Sequence, residues 1–186
     1  MWEEGAAISR SMGMKPSEAI CVAHIGYAEV LAGNFDRALR HLDESLVLFD
    51  ELGQTTWTPV AQRYVGLVAL LDGNADVAEA EFRASLRRGR EDSPQFHLVY
   101  WLEELAAVAV AKGEAERAAT LWAATDAQYE RLGMAVIEEG RQVRARYRKG
   151  SDDLSDDLRA DARTRGRAMT LEQAVAYALA EEPVRA

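Results

Sequence analysis

The sequence predicts an all-α chain: an α-solenoid of antiparallel helix pairs, repeated with a period of forty residues and closed by C-terminal capping helices. Three observations carry this. Ala, Leu, Glu and Arg dominate and only 4 prolines occur in 186 residues, a mix whose side chains lose little freedom in a helix. Three segments line up without gaps at a constant spacing of forty: GNFDRALRHLDES from Gly33, GNADVAEAEFRAS from Gly73 and GEAERAATLWAAT from Gly113. Beyond Gly133 the period stops and shorter amphipathic stretches follow.

Each repeated column has a physical reading. Gly33, Gly73 and Gly113 end one helix of each pair, because glycine takes the left-handed C′ conformation without a Cβ clash. The helix before each glycine carries apolar residues at helical spacing, as in Val22, Ile25 and Leu31. The helix after it buries Ala38 and Leu42, one turn apart on one face; Ala78 with Phe82, and Ala118 with Trp122, repeat the pair. Ser45, Ser85 and Thr125 close the motif. Small residues at Gly26, Gly66, Ala38 and Ala78 let paired helices approach closely. One pair cannot bury its own face, so stacking of pairs is required. These repeats occupy residues 14–133.

The N-terminal stretch, residues 1–13, reads as the second helix of a repeat whose first helix is missing. Trp2 falls in the Leu42 column, and Met12, Gly13 and Met14 match Leu52, Gly53 and Gln54. This predicts further repeats upstream in a longer parent protein. It also predicts an exposed apolar stripe of Trp2, Ile8 and Met12, buried by self-association, with a homodimer as one outcome.

Residues 134–186 read as C-terminal capping helices. Residues 135–149 look helical. SDDLSDDLRADARTRGR has acids in its first turn and bases in its last, which complements a helix dipole. Thr170 and Gln173 form a capping box that opens the last helix, with Leu171, Val175, Tyr177 and Leu179 as its apolar residues.

The pattern G-x-F-x-x-A, with a small residue seven positions before the glycine, resembles the tetratricopeptide (TPR) signature. Gly26, Gly33, Phe35, Ala38 and Ser45 match it best. Ala75 and Ala115 stand where an aromatic is usual, and the period exceeds the TPR norm of about 34 residues. The chain therefore resembles the long-helix, TPR-like arrays of MalT type, which implies a right-handed α-solenoid. GEAERAATLWAATDAQYERLG followed by RGRAMTLEQAVAYALA is similar to the C-terminal end of actinobacterial regulators. Those couple a STAND-type ATPase to a TPR-like array and to a DNA-binding domain of LuxR or AfsR type, or to a nucleotide cyclase. The resemblance implies a sensor or partner-binding arm, with ATPase and output domains elsewhere. Scarce lysine (Lys15, Lys112, Lys149) beside abundant Arg and Ala fits a GC-rich bacterial source.

Several functions are disfavoured. A net charge of −9 repels phosphate backbones, so direct nucleic-acid binding is not expected. No apolar run approaches the roughly 20 residues that span a bilayer. The start, MWEEGAAISR, has acids where a secretory leader has bases. Cys21, the single cysteine, fits a reducing compartment, so a cytoplasmic location is expected. No Walker A motif, helix-turn-helix or nucleophile elbow occurs. Cys21 and His24 share a helical face, yet two ligands do not complete a metal site, and His41 and His97 are not placed to join them. Glu103–Glu104 and Asp152–Asp153 are adjacent and face apart, which reads as solvated helix surface and not a catalytic dyad. No cofactor is expected, and no enzyme. Two basic spurs, Arg83 to Arg90 and Arg141 to Lys149, read as solvated faces paired with nearby acids, with docking to an acidic partner or to DNA as the alternative. Trp122 reads as core.

In TPR arrays the first helices line a concave groove. By that resemblance, Tyr27, Arg63, Tyr100 and Glu103 are the candidate groove contacts, with a protein or peptide, or other domains of the parent regulator, as partner. Arg63 and Glu103, in one column of successive repeats, would equally pair with each other. Tyr27, Leu67 and Ala107 replace the asparagine of carboxylate-clamp TPRs, which disfavours that ligand class. A small-molecule effector in the groove is the alternative, with Tyr27 or Tyr100 stacking on it.

Overall fold

The computed structural model describes residues 1–151 and 154–180. Asp152 and Asp153 lie outside the described residues. Among these there are ten α-helices, one 3-10 turn and no strand. The helices are α1 (Trp2–Ser11), α2 (Lys15–Leu31), α3 (Phe35–Glu51), α4 (Thr58–Leu71), α5 (Ala75–Gly89), α6 (Gln95–Ala111), α7 (Ala115–Arg131), α8 (Glu138–Tyr147), α9 (Asp156–Ala168) and α10 (Leu171–Ala178), with the 3-10 turn at Arg148–Ser151. The fold is all-α, and within each unit helices pack in consecutive pairs, as α2 on α3 and α6 on α7. The chain forms two compact units, Met1–Arg88 and Gly89–Ala186.

The turns reveal a shorter period than the repeat. Gly13, Gly33, Gly53, Gly73, Gly113 and Gly133 all have positive φ, between 61° and 90°. At each of them the glycine N–H bonds the carbonyl three residues back, and the next N–H bonds the carbonyl five back, as in Gly33 to Val30 and Asn34 to Glu29. This is the Schellman arrangement, which satisfies two orphan carbonyls at a helix end. The same reversal therefore recurs every twenty residues, within pairs and between them. It fails at one place. Ser93 holds the position where a glycine would fall, α5 has already ended at Gly89, and the Ser93 N–H returns to the Gly89 carbonyl. Pro94, with extended ψ of 142°, then starts α6. The break in the period coincides with the border between the two units.

In the first unit α1 packs on α2, α2 on α3, and α3 on α4. Ala19, Ala23, Phe49 and Ala61 form a buried cluster, flanked by Ile20, Leu46, Leu48 and Trp57. Close approach is set by the small residues. A Cβ on Gly26 would lie 2.8 Å from Leu42 Cγ, and one on Gly66 only 2.6 Å from the Phe82 ring. Leu42 and Phe82 are the repeat-column residues, so each fills the hollow that a glycine leaves on the preceding helix.

In the second unit α6 is the central helix. Its residues from Leu98 to Ala109 are almost all buried, because α7, α8, α10 and the 3-10 turn pack around it, and a helix covered on all sides is apolar all round. Trp101 fills the hollow over Gly89. α9 lies against α7 so tightly that a Cβ on Gly166 would sit within 3 Å of the Thr120 carbonyl oxygen and the Ala123 Cβ. The tail starts its helices as its sequence suggests. Ser155 caps α9, with Asp156 and Asp157 in the first turn and Arg165 and Arg167 in the last, and Thr170 and Gln173 form both bonds of a capping box on α10. The stretch expected to be helical from 135 begins only at Glu138, after an extended Ile137, and tightens into the 3-10 turn at Arg148.

These contacts separate two kinds of glycine. Gly33→Ala meets open space and only the left-handed backbone resists it, so urea melts should show a loss of about 1 kcal/mol. Gly166→Ala meets a backbone carbonyl that cannot swing aside, so the same melts should show a loss of about 3 kcal/mol.

Candidate functional site

The first unit holds Tyr27, Arg63 and the N-terminal stripe. Tyr27 on α2 stacks on Tyr64 of α4, with centroids 4.4 Å apart. Its hydroxyl is buried without a hydrogen-bond partner. Arg63 is only 7% exposed, and its guanidinium lies 5.5 Å from the Tyr64 centroid. His24 joins the same cluster: Trp57 and Tyr64 meet it edge-on, and its Nδ1 is 2.8 Å from the Ile20 carbonyl oxygen. Stacking and burial account for Tyr27 and Arg63, because aromatic pairs favour such offsets and an arginine packs its planar head on a ring.

Trp2, Ile8 and Met12 are 39%, 52% and 67% exposed. The Trp2 ring is nevertheless engaged, stacked on His24 at 4.3 Å. Cys21 is half-buried, close beneath Gly5 of α1. Among the described residues no group of three or more His, Cys, Asp or Glu side chains could hold a metal ion.

The second unit separates Tyr100 from Glu103, although they are one turn apart on α6. Tyr100 lines an open cleft of about 610 Å³ with Gln95, Phe96, Leu132, Met134 and Ala135. Among the described residues its lining carries no charge. It forms where the N-terminal half of α6 meets the extended chain leaving α7, and Phe96 stands edge-on to Tyr100 with centroids 5.9 Å apart. The sequence named Tyr100. The others were missed because Leu132 and Met134 aligned only as residues flanking the Gly133 turn, with no groove position assigned to them.

Glu103 is 2% exposed and Glu104 equally buried. The solvated-surface reading of this pair is therefore corrected: α6 is covered on every side, so even its acids are enclosed. Glu103 Oε2 accepts from the Tyr129 hydroxyl at 2.6 Å and Oε1 from Arg144 Nε at 2.7 Å. Gly140 lets α8 come close, since a Cβ there would lie 3.1 Å from Glu103 Oε1. Arg144 also donates from Nη1 to Asp126 Oδ1 at 2.7 Å, and Arg148 holds both Asp126 oxygens. The Arg144 guanidinium lies 5.1 Å from the Tyr129 centroid and 5.5 Å from that of Trp122. Burial, and then the neighbouring Glu103 carboxylate, push the Tyr129 phenol far above its ordinary value. Burial works against the charge on Arg144, but its bonds to Glu103 and Asp126 outweigh it and raise its pKa. Burial likewise pushes Asp126 up, and Arg148 and Arg144 overcome this and hold it below the usual carboxylate value. So Glu103 joins α6, α7 and α8 inside the unit. Of this basic spur, Arg144 pairs with Glu103 and Asp126 inside the unit, while Arg148 pairs with Asp126 and keeps a partly exposed side chain.

Removing one member should expose the cost of the others. Arg144→Met leaves Glu103 buried beside a neutral side chain, so chemical denaturation should show a loss of about 3–5 kcal/mol. Adding Glu103→Leu and Tyr129→Phe to it should recover most of that loss. The depressed Asp126 pKa adds stability above its unfolded value of about 3.9, and this is lost as pH falls through the lower folded value. Asp126→Asn should therefore be less stable at pH 7 by about 2 kcal/mol and converge with the wild type in melts as the pH falls through the folded-state value.

No protein-family model, curated protein or solved structure matches this chain.

Proposed function

We propose that the chain is a non-catalytic, TPR-like scaffold, the protein-interaction or sensor arm of a larger transcriptional regulator of the STAND ATPase class with a LuxR- or AfsR-type output. The carrying observation is the open apolar cleft at Tyr100. It offers exposed Phe96 and Leu132 beside Tyr100 and Met134 with no charge among its lining residues. Such a surface takes apolar side chains of a partner, with Met as an adaptable contact. The chemistry-bearing acids support the same reading, since Glu103 and Asp126 are committed to Tyr129, Arg144 and Arg148 and have no free oxygen facing a substrate.

A selection of peptides from a random library tests this. Binders should carry one or two large apolar anchors, and Phe96→Ser should weaken them by at least about tenfold. Selected peptides that bind Phe96→Ser as well as the wild type would sink the assignment. A small-molecule effector is the second reading, favoured by the cleft volume of about 610 Å³, which lies in the range of ligand sites. Saturable binding of an apolar metabolite with no peptide selected would favour it.

The exposed Ile8 and Met12 on α1 fit a self-association face. Ile8→Glu with Met12→Glu should turn a dimer into a monomer in sedimentation runs, and leaves the Trp2–His24 stack alone. A wild-type chain that is already monomeric at high micromolar concentration counts against a homodimer.

A further inference from the structure

We infer that the notch between α7, α9 and the 3-10 turn binds a small molecule through a phosphate-class oxyanion. The notch has a volume of about 270 Å³ and is lined by Trp122 and Asp126 of α7, Arg148 of the 3-10 turn, and Arg159, Arg163 and Arg167 of α9. Four-residue spacing puts the three α9 arginines on one face, and the close seat of Gly166 on the α7 backbone brings that face over Trp122. Arg148 approaches from the other wall.

The charges in the notch are unequally matched. Asp126 has both oxygens occupied by Arg144 and Arg148, and Arg167 is held in a fork by Glu130. Arg159 meets Asp156 at 3.7 Å. Arg163 has no ionic or hydrogen-bonding partner among the described residues. Two buried donors also go unmet, one on the notch wall and one behind it. Trp122, 2% exposed, has an indole N–H without an acceptor, and Arg144 Nη2 beside its ring has none either. Buried donors left unpaired are costly. What is short here is acceptor oxygens carrying negative charge.

A phosphate group supplies them. It carries about −1.5 to −2 charge and only acceptor oxygens, and guanidinium forks match it in two-point contacts. A carboxylate brings half the charge to a site where several guanidiniums converge. The volume of the notch admits a phosphate with a few further atoms, a smaller ligand than a peptide segment needs. Loose attraction of anions does not explain such a site, because the chain as a whole carries −9 and repels them.

The test is titration of the full chain with pyrophosphate, read by intrinsic tryptophan fluorescence and by Tm. Arg163→Gln, Arg163→Lys and a distant control, Arg40→Gln, are run in parallel, with folding checked by circular dichroism. Expected are a saturable fluorescence change and a rise in Tm for the wild type and Arg40→Gln. Arg163→Gln should weaken binding by at least about tenfold, and Arg163→Lys should restore part of it. The inference is overturned if pyrophosphate does not saturate at millimolar concentration, or if Arg163→Gln binds like the wild type. It also fails if sodium chloride at matched ionic strength reproduces the Tm rise. A short phosphoserine peptide that binds more tightly than pyrophosphate would overturn the small-molecule assignment.

Discussion

The left-handed turn is what the helical architecture depends on. A helix leaves its last carbonyls without partners, and a residue at positive φ folds the chain back so that two following N–H groups reach them. Six glycines perform this reversal with the same pair of bonds. Their missing Cβ atoms face open space, so they are chosen for backbone freedom alone. Gly26, Gly66 and Gly166 are the converse case, with ordinary helical backbone and no room for a side chain. The first kind sets how long each helix is. The second sets how near it lies to its neighbour, and so where Leu42, Phe82 and α9 come to rest.

Within the second unit the notable departure from an apolar interior is a set of charges. Glu103 sits on a helix whose other faces are packed, and taking a carboxylate out of water is costly unless its oxygens are satisfied. Tyr129 and Arg144 satisfy them from two different helices, and Arg144 hands its remaining charge to Asp126. Such a network contributes little net stability over a well-packed apolar one. It does fix which face of α8 meets α6, since a rotated α8 would leave Glu103 unmatched.

Much of this was legible in the chain, and the limits are physical. Gly33, Gly73 and Gly113 announced the turns because few residues tolerate their backbone, and Thr170 with Gln173 announced α10 because the capping box is local. The repeat alignment treated Gly13, Gly53 and Gly133 as a second column; only the shared hydrogen bonds show that both columns are one turn. Glu103 looked like surface because burial on all sides depends on α8 and α10, whose docking leaves no local signature. Its link to Arg144 spans 41 residues and belongs to no repeat column. The cleft was half legible: Tyr100 fell in a groove column, while Met134 became a wall only through the extended chain before α8.

The Glu103–Arg144 bond also bears on the order in which the second unit assembles. Neighbouring helices joined by a tight turn meet after little loop closure, so α6 and α7 can pair early. The helices after α7 leave the ribosome later and must travel farther along the chain to reach α6. Until Arg144 arrives, Glu103 stays hydrated, and it holds water against a helix that is otherwise apolar all round. A charge enclosed in the finished unit thus serves earlier as a solubilising group, protecting the half-formed hairpin from sticking to its neighbours while the rest of the chain is made.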